Sequence, residues 1–478
     1  MANFKKYLRS GVAAVALSVA AVLPAGADTL GDALAKAYKN SGLLEQNRAL
    51  LRAADEDVAG AVAELRPILA YSAGVTMNRN YSVSGSSQNR IDGIDETTVG
   101  TLELTASMLL YDGGASRMGI DVAKEAVLAT RQTLRSAEQT VLLNAVSAYM
   151  SVVASGQIVS LQQNNLRVLS EQLRAARERF DVGEITRTDV ALSEAARASS
   201  NSDLVAAQGD LADSRAAYIT AVGEAAGSVS TPSALPVAVN SVEEALRFAM
   251  RGHPELLAAQ HAVSQAELGV KIAQAARKPE VTVGASIGHT RYLAEDTTLN
   301  EGNYTNGATV GVEVNGPIYY GGAISSAVRQ AMATRDASRA ELLQTKLDVE
   351  EAVRVAYSAL TQARAARGAA EESIRANNVA YSGVREEASL GARTTLDVLD
   401  AEQDLLDARA SSITAAANEY IAAYSLLSAM GLLNVEYLKL NVPTYDPEAY
   451  YNTVKSAPAI LNTRGEKLDD VLRAIGKN

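Results

Sequence analysis

The chain has 478 residues, with 44 Lys plus Arg against 55 Asp plus Glu, no Cys, no Trp, 3 Phe and 19 Tyr. The missing cysteines exclude disulfides, thiolate zinc sites, cysteine nucleophiles and a lipid-bearing N-terminal cysteine. His253, His261 and His289 lack HExxH-like spacing and read as structural or surface residues, with no metal or other cofactor implied. A formal net charge of -11 argues against nucleic acid as the partner, since affinity for a phosphate backbone comes largely from Lys and Arg.

Residues 1–27 read as a secretory signal peptide. Lys5, Lys6 and Arg9 precede an apolar run from Gly11 to Leu23, and Pro24-Ala25-Gly26-Ala27 supplies the small residues that signal peptidase recognises. A membrane anchor is the alternative, but the run falls short of the ~20 residues a spanning helix needs. No later stretch is long and apolar enough without interruption, so the exported chain is expected to be soluble outside the cytoplasm or inserted as β-strands.

The rest is a tandem duplication. TLGDALAKAYKNSGLL at 29–44 aligns with SVEEALRFAMRGHPEL at 241–256, an offset of 212, and Arg66-Pro67 aligns with Lys278-Pro279 at the same offset. Beyond the next strands the offset becomes 208: Asp112-Gly113-Gly114 against Tyr320-Gly321-Gly322, Val182-Gly183 against Leu390-Gly391, Asp189 against Asp397, and Gly223 against Gly431. The expected organisation is a first repeat over 28–227 and a linker over 228–240, marked by Pro232 and Pro236. A second repeat over 241–431 and an equatorial segment with a tail over 432–478 complete it.

Within the first repeat a helix leads to a strand pair at 67–111, a long helix at 115–180 and a helix at 186–223. Pro67 to Met77 and Thr98 to Leu110 are the expected strands, around a polar loop of Asn, Ser, Gly and Asp. Leu102, Leu104, Ala106, Met108 and Leu110 alternate with Glu103, Thr105 and Ser107. No Pro occurs between Ile68 and Thr231, which permits a very long helix. Apolar steps of seven, four and three run through Val127, Leu134, Val141 and Ala148, then Leu166, Leu169, Leu173, Ala176 and Phe180. Such a helix would reach about 100 Å at 1.5 Å per residue.

The second repeat predicts a strand pair at 279–319, a long helix at 323–388 and a helix at 394–431. Val281, Val283, Ala285 and Ile287 alternate on one strand, and Val310, Val312 and Val314 on the next. Leu399, Leu406, Ile413, Tyr420 and Leu427 then fall every seven residues, a coiled-coil seam. Tyr71, Tyr81, Tyr111, Tyr292, Tyr304, Tyr319 and Tyr320 fall near strand ends, as in transmembrane β-strands. Two such pairs, attached to helices too long to cover them from the side, favour a membrane setting over two ordinary solvent-facing hairpins. Four strands cannot close a barrel, so oligomerisation is required, and two or three copies would both suffice.

The fold class is therefore mixed α and β: tandem-repeat long-helix coiled coils continuing a transmembrane β-barrel, with four strands per chain. A soluble periplasmic coiled-coil scaffold or adaptor is the second reading. It should lack paired amphipathic strands. An exported hydrolase ranks far behind, with no GxSxG motif.

RFDVGEITRTDV at 179–190, LGARTTLDVLDAEQ at 390–403, and the junctions LLYDGG and PIYYGGA make the chain resemble the TolC family of outer-membrane efflux proteins over roughly residues 28–431. The resemblance implies a homotrimer with twelve strands in one barrel in outer-membrane lipid, and twelve helices in a tapered periplasmic tunnel. It also implies a duct, not an enzyme, that serves an inner-membrane transporter through a periplasmic adaptor and exports drugs, small molecules or type I secreted proteins. The family's acylated branch, which starts its mature chain with a cysteine, is not matched by a chain expected to start at Asp28.

Asp397, Asp400, Asp404 and Asp407 lie on one helix face, away from the Leu399 seam, and such a stripe reads equally as a solvated face. Thr394 with Asp397, and Thr186 with Asp189, also have capping-box spacing. By resemblance, Asp397 and Asp400 match the pair of carboxylates lining the periplasmic constriction, where crowding in a trimer should raise some pKa values and favour cations. Arg393 and Asp189 match the charged members of links that hold the helix ends closed, while the family's tyrosine partner falls on Ala388. Gly183 and Gly391 read as helix C-caps and, by resemblance, as the tips where adaptor hairpins dock.

Overall fold

The computed structural model describes residues 29–84, 91–232, 235–236, 239, 241–295 and 303–456. The signal peptide expected at 1–27 and the tail beyond 456 lie outside the described residues. Each half repeats one order of elements: two short helices, two strands, a very long helix and its shorter partner. These are α1 (Leu30–Asn40), α2 (Gly42–Ala63), β1 (Ile68–Ser84), β2 (Ile91–Tyr111), α3 (Ala115–Asp181) and α4 (Arg187–Val222), then α5 (Val242–Gly252), α6 (Pro254–Ala275), β3 (Glu280–Glu295), β4 (Tyr304–Asn315), α7 (Ala323–Ser389) and α8 (Thr395–Ala429). A short α9 (Ala449–Val454) follows and lies against α2.

The two long helices have 67 residues each, about 100 Å of rod. Both begin at a pair of left-handed glycines, Gly113-Gly114 and Gly321-Gly322, where the chain turns from strand to helix. The turn between the strands and α3 is tight. A Cβ on Gly113 would come within 2.8 Å of the Lys278 side chain and 3.1 Å of the Ala275 carbonyl oxygen. Asp112 completes this junction by accepting the Gly114 and Ser116 amide protons.

The four strands form one antiparallel sheet in the order β1-β2-β3-β4. Its register separates two faces. One carries the rows Leu69–Ala106–Ala285–Val310 and Tyr71–Leu104–Ile287–Ala308. The other carries Ala70–Thr105–Ser286–Thr309, Ser72–Glu103–Gly288–Gly307 and Gly74–Thr101–Thr290–Thr305. The first face is apolar in these rows and turns polar in the next, at His289 and Asn306; the second is small and hydroxylated apart from Glu103. The sheet stands open, with Tyr71 and Val310 each 82% exposed. Among the described residues the outer edges of β1 and β4 have no partner strand.

The first strand pair is longer than its composition suggests. The stretch between Met77 and Thr98, expected as a polar loop, stays in ladder pairing to Ser84 and from Ile91, and Arg79 meets Glu96 across the strands at 2.7 Å. Cross-strand pairing of this kind outweighs the polar composition that suggested a loop.

The main core lies at the middle of the long helices. Ala137 to Val153 of α3, Tyr218 and Val222 of α4, Val349 to Leu360 of α7, and Ala417 to Leu427 of α8 close around α1, α5, Leu433 and Val435. The most apolar stretch of α3, long and greasy enough by composition to cross a bilayer, shares its helix with this core segment, where Tyr149 and Met150 are fully buried. In both halves the glycine closing the last helix wedges against the kink between the first two. Gly223 (φ +83°) abuts Asn40, and Gly431 (φ +76°) abuts His253. The two long helices differ in cover: α3 buries seventeen side chains and α7 only five, so Leu343, Leu347, Val355 and Val379 of α7 stand exposed. An apolar face of that length calls for a covering surface from outside the chain.

Beneath the segment that carries α9, Asp55 of α2 is fully buried with both carboxylate oxygens unpartnered. Burial pushes its carboxyl up to about 6, against the pull of the Arg131 guanidinium, with Glu56 adding to the rise. A carboxyl raised in this way binds its proton more tightly in the folded state than in the unfolded chain. Its contribution to stability is complete below about pH 4 and is lost as pH rises through about 6. Asp55→Asn is therefore expected to stabilise the protein by about 1–2 kcal/mol at pH 8 and to bring no gain at pH 4. Thermal unfolding in detergent at the two pH values checks this.

Candidate functional site at the helix tips

At the far end from the sheet the two coiled coils turn. The α3–α4 turn is a Schellman-type cap: Gly183 (φ +82°) donates to the Phe180 carbonyl at 2.9 Å, and Glu184 to the Arg179 carbonyl at 2.9 Å. The α7–α8 turn repeats it, with Gly391 (φ +82°) donating to Ala388 at 3.1 Å and Ala392 to Glu387 at 2.9 Å. Both glycines have open space around the position a Cβ would take, so backbone conformation and not crowding selects glycine there. Ion pairs brace the first turn, Arg179 with Glu184 at 3.0 Å and Arg177 with Glu194 at 2.6 Å.

Each returning helix starts with a full capping box. Thr186 Oγ1 accepts the Asp189 amide proton at 3.3 Å, while Asp189 Oδ2 accepts from the Thr186 amide at 3.0 Å and its hydroxyl at 2.7 Å. Thr394 and Asp397 make the same box, at 3.2, 2.8 and 2.7 Å. Hydrogen bonds from the Thr394 amide, then from its hydroxyl, hold the Asp397 carboxyl below the usual carboxylate range, with Arg393 adding to the effect. Asp189 is lowered by the matching Thr186 bonds, with the nearby Thr395 side chain adding to the effect. Thr395 opens α8, so the start of α4 lies close to the start of α8.

Arg393 does not meet Asp189 within the chain. Its Nε donates to Glu387 Oε2 at 2.8 Å, across the turn of its own hairpin. Asp400, Asp404 and Asp407 form an exposed acidic stripe along α8, with Asp407 accepting from Gln403 at 2.9 Å. The Leu399 seam faces inward, with Leu406, Tyr420 and Leu427 buried. On α3 the inward stripe ends one turn earlier than its spacing suggests, because Phe180 is 41% exposed at the tip, where no helix remains to receive it.

Two buried acids of α8 escape the apolar pattern. Glu419 of α8 is 5% exposed and takes Arg367 at 2.8 Å and Arg364 at 3.6 Å, both from α7. Glu402 of α8, 9% exposed, accepts a short hydrogen bond from Gln172 of α3. Glu402 stands three residues after Leu399, where the second seam position of a heptad falls, and a charge at that position is the available sequence signal. Gln172 gives no such signal.

Residues 33–224 and 246–432 match the sequence profile of the family described as outer membrane efflux protein. The chain is 37% identical over 428 residues to outer membrane efflux protein BepC of Brucella suis, spanning 90% of this chain and 91% of that protein. It is 26% identical over 400 residues to outer membrane protein TolC of Escherichia coli, spanning 81% and 80%. Its fold superimposes on the crystal structure of the CmeC outer membrane channel of Campylobacter jejuni with a TM-score of 0.70 at 17% identity, over 90% of each chain. With most of both repeats inside the matched residues, the chain belongs to the outer membrane efflux protein family.

Proposed function

We propose that three copies of this chain assemble into one channel-tunnel: a twelve-stranded barrel in the outer membrane, continued through the periplasm by twelve long helices. It is an exit duct for an inner-membrane transporter reached through a periplasmic adaptor, and it passes drugs, small molecules or type I secreted proteins. The observation that carries this is the bare sheet. Its apolar face matches hydrocarbon, its Gly, Ser and Thr face matches a water-filled lumen, and its two free edges need partner strands. The exposed apolar side chains of α7 supply the matching surface on the helical part. A soluble scaffold would have no use for a two-faced sheet left open on both sides.

In this reading the outer-membrane protein resists extraction by high salt, leaves the membrane only with detergent, and then has the mass of three chains and passes ions in a planar bilayer. Release by salt alone, or a water-soluble monomer that passes no ions, would sink the proposal.

Asp397 and Asp400 line the periplasmic constriction. Asp397 already holds a capping box, so its charge is fixed in place on the first turn of α8, and Asp400 extends the field one turn further along the exposed face. Three copies bring six carboxylates around one axis. Replacing both by Ala is expected to weaken the block of channel current by multivalent cations by about tenfold or more; unchanged block in the same bilayer recording would remove them from the constriction.

Asp189 and Arg393 restrain the helix ends. Asp189 does so by fixing the start of α4 close to Thr395 of the neighbouring hairpin, and Arg393 by bracing its own turn through Glu387, next to Asp397. Arg393→Gln should raise basal conductance by roughly twofold to fivefold, the scale of an exposed ion pair. A current equal to the unsubstituted protein's would count against that role. Gly183 and Gly391 shape the tips that receive the adaptor, and opening requires the adaptor to bind the splayed arrangement more tightly than the closed one.

A further inference from the structure

The apolar face of the sheet is interrupted at one place. The row Ala73–Leu102–His289–Asn306 and the next, Val75–Gly100–Arg291–Tyr304, stay apolar or small on β1 and β2 and turn polar on β3 and β4. His289 Nδ1 is hydrogen-bonded to Asn306 Oδ1 at 2.7 Å, and its ring stacks on Tyr304 with centroids 5.7 Å apart. The imidazole is fixed on two sides, and Nε2 is the ring atom left to meet a ligand. Arg291 stands two residues further along the same face, about 7 Å away, and is exposed.

Charge is divided between the faces. Glu103 and Glu313 lie on the hydroxylated face, and Arg79, on the apolar face with Arg291, is matched by Glu96 at 2.7 Å. Arg291 makes no ion pair among the described residues. An arginine that faces lipid without an anion is costly, the more so with distance from the interface. From His289 and Asn306 a groove runs toward the helical end of the sheet, lined by Tyr71, Leu104, Ile287 and Ala308.

We infer that Arg291 and His289 bind a phosphate group of an outer-leaflet lipid whose acyl chain lies in the groove between Tyr71 and Ile287. This rests on the duct reading above, which turns the apolar face to the bilayer and the strand-connecting loops to the outside. The order of groups then fits that leaflet: the cations stand on the loop side, and the groove descends from them toward the helices. A lipid of the inner leaflet would need the reverse order. The Arg291 guanidinium offers paired donors to phosphate oxygens. His289 Nε2 shares a proton with the same group, accepting from a P–OH or, as imidazolium, donating to an ionised oxygen. Leu102 and Val75 beside the site keep water away from it on the β1–β2 side.

The full chain, extracted in mild detergent, is given lipid A, a bisphosphorylated acyl disaccharide, and retained lipids are counted by native mass spectrometry. The unsubstituted protein should hold it about tenfold more strongly, or better, than the same lipid stripped of phosphate, the scale of a charge-assisted bond. Arg291→Gln should weaken retention by a similar factor, His289→Ala should weaken it less, and Arg291→Lys should keep part of what Arg291→Gln loses. Arg79→Gln removes a cation that is already paired and should change nothing. Ala308→Trp fills the groove, leaves both cations in place, and should also weaken retention.

Equal retention of the two lipids, or retention indifferent to Arg291→Gln or to Ala308→Trp, overturns the inference. Displacement by inorganic phosphate at the lipid's own concentration overturns it too, since that marks an anion site with no use for an acyl chain. Extraction of the protein by salt alone would sink the duct reading, whereas a detergent-dependent assembly of three chains that ignores the phosphates sinks only the lipid site.

Discussion

The molecule is governed by backbone hydrogen bonds that hydrocarbon will not supply. A four-stranded sheet satisfies its inner strands and leaves a row of amides and carbonyls bare on β1 and on β4. In water such edges are tolerable, but in a bilayer each unsatisfied group costs about several kcal/mol. The same sheet has apolar rows on one face and rows of glycines, serines and threonines on the other, so in the proposed barrel the apolar rows face outward. Everything below the sheet inherits this demand for neighbours. In the proposed trimer the uncovered apolar side chains of the long helix α7 and the open edge of β4 have one cause: both face the next copy.

The helices transmit that geometry over about 100 Å by being stiff and closely spaced. Proline is absent from their interiors, glycine pairs mark where they begin, and capping boxes mark where their partners start. The equatorial core, built around Tyr149, Tyr218 and the buried leucines of α8, grips the rods near their midpoints. Their lower ends are held by polar bonds between hairpins rather than by a broad apolar core, so grip and mobility are separated along one rod.

Much of this was legible in the residues because the signals were local and repeated. The duplication doubled every clue: one YDGG junction is a turn, while two at matching positions describe an architecture. The expectation of paired strands rested on two-residue alternation, and the ladder follows that pattern along β2 from Leu102 to Met108, short of the irregularity between Leu109 and Tyr111. It failed to find the upper part of the first strand pair, because between Asn78 and Ser84 only Tyr81 and Val83 alternate with polar residues, a run too short to stand out, and cross-strand partners reveal it as strand. At the tips, the spacing of Thr186 with Asp189 and of Thr394 with Asp397 announced the capping boxes, since those bonds lie within four residues. It could not announce that Arg393 turns to Glu387, that Thr395 comes close to Asp189, or that Gln172 finds Glu402 across 230 positions of chain. Those pairings depend on how two hairpins are laid side by side.

The unequal strand pairs have a consequence at the opposite end. The β1–β2 ladder runs on to Ser84 and Ile91, past Thr97, the last β2 residue that β3 pairs, and the Arg79–Glu96 pair stiffens it there. In the proposed trimer the described strands then end at two levels, and three ribbons reach furthest toward the environment.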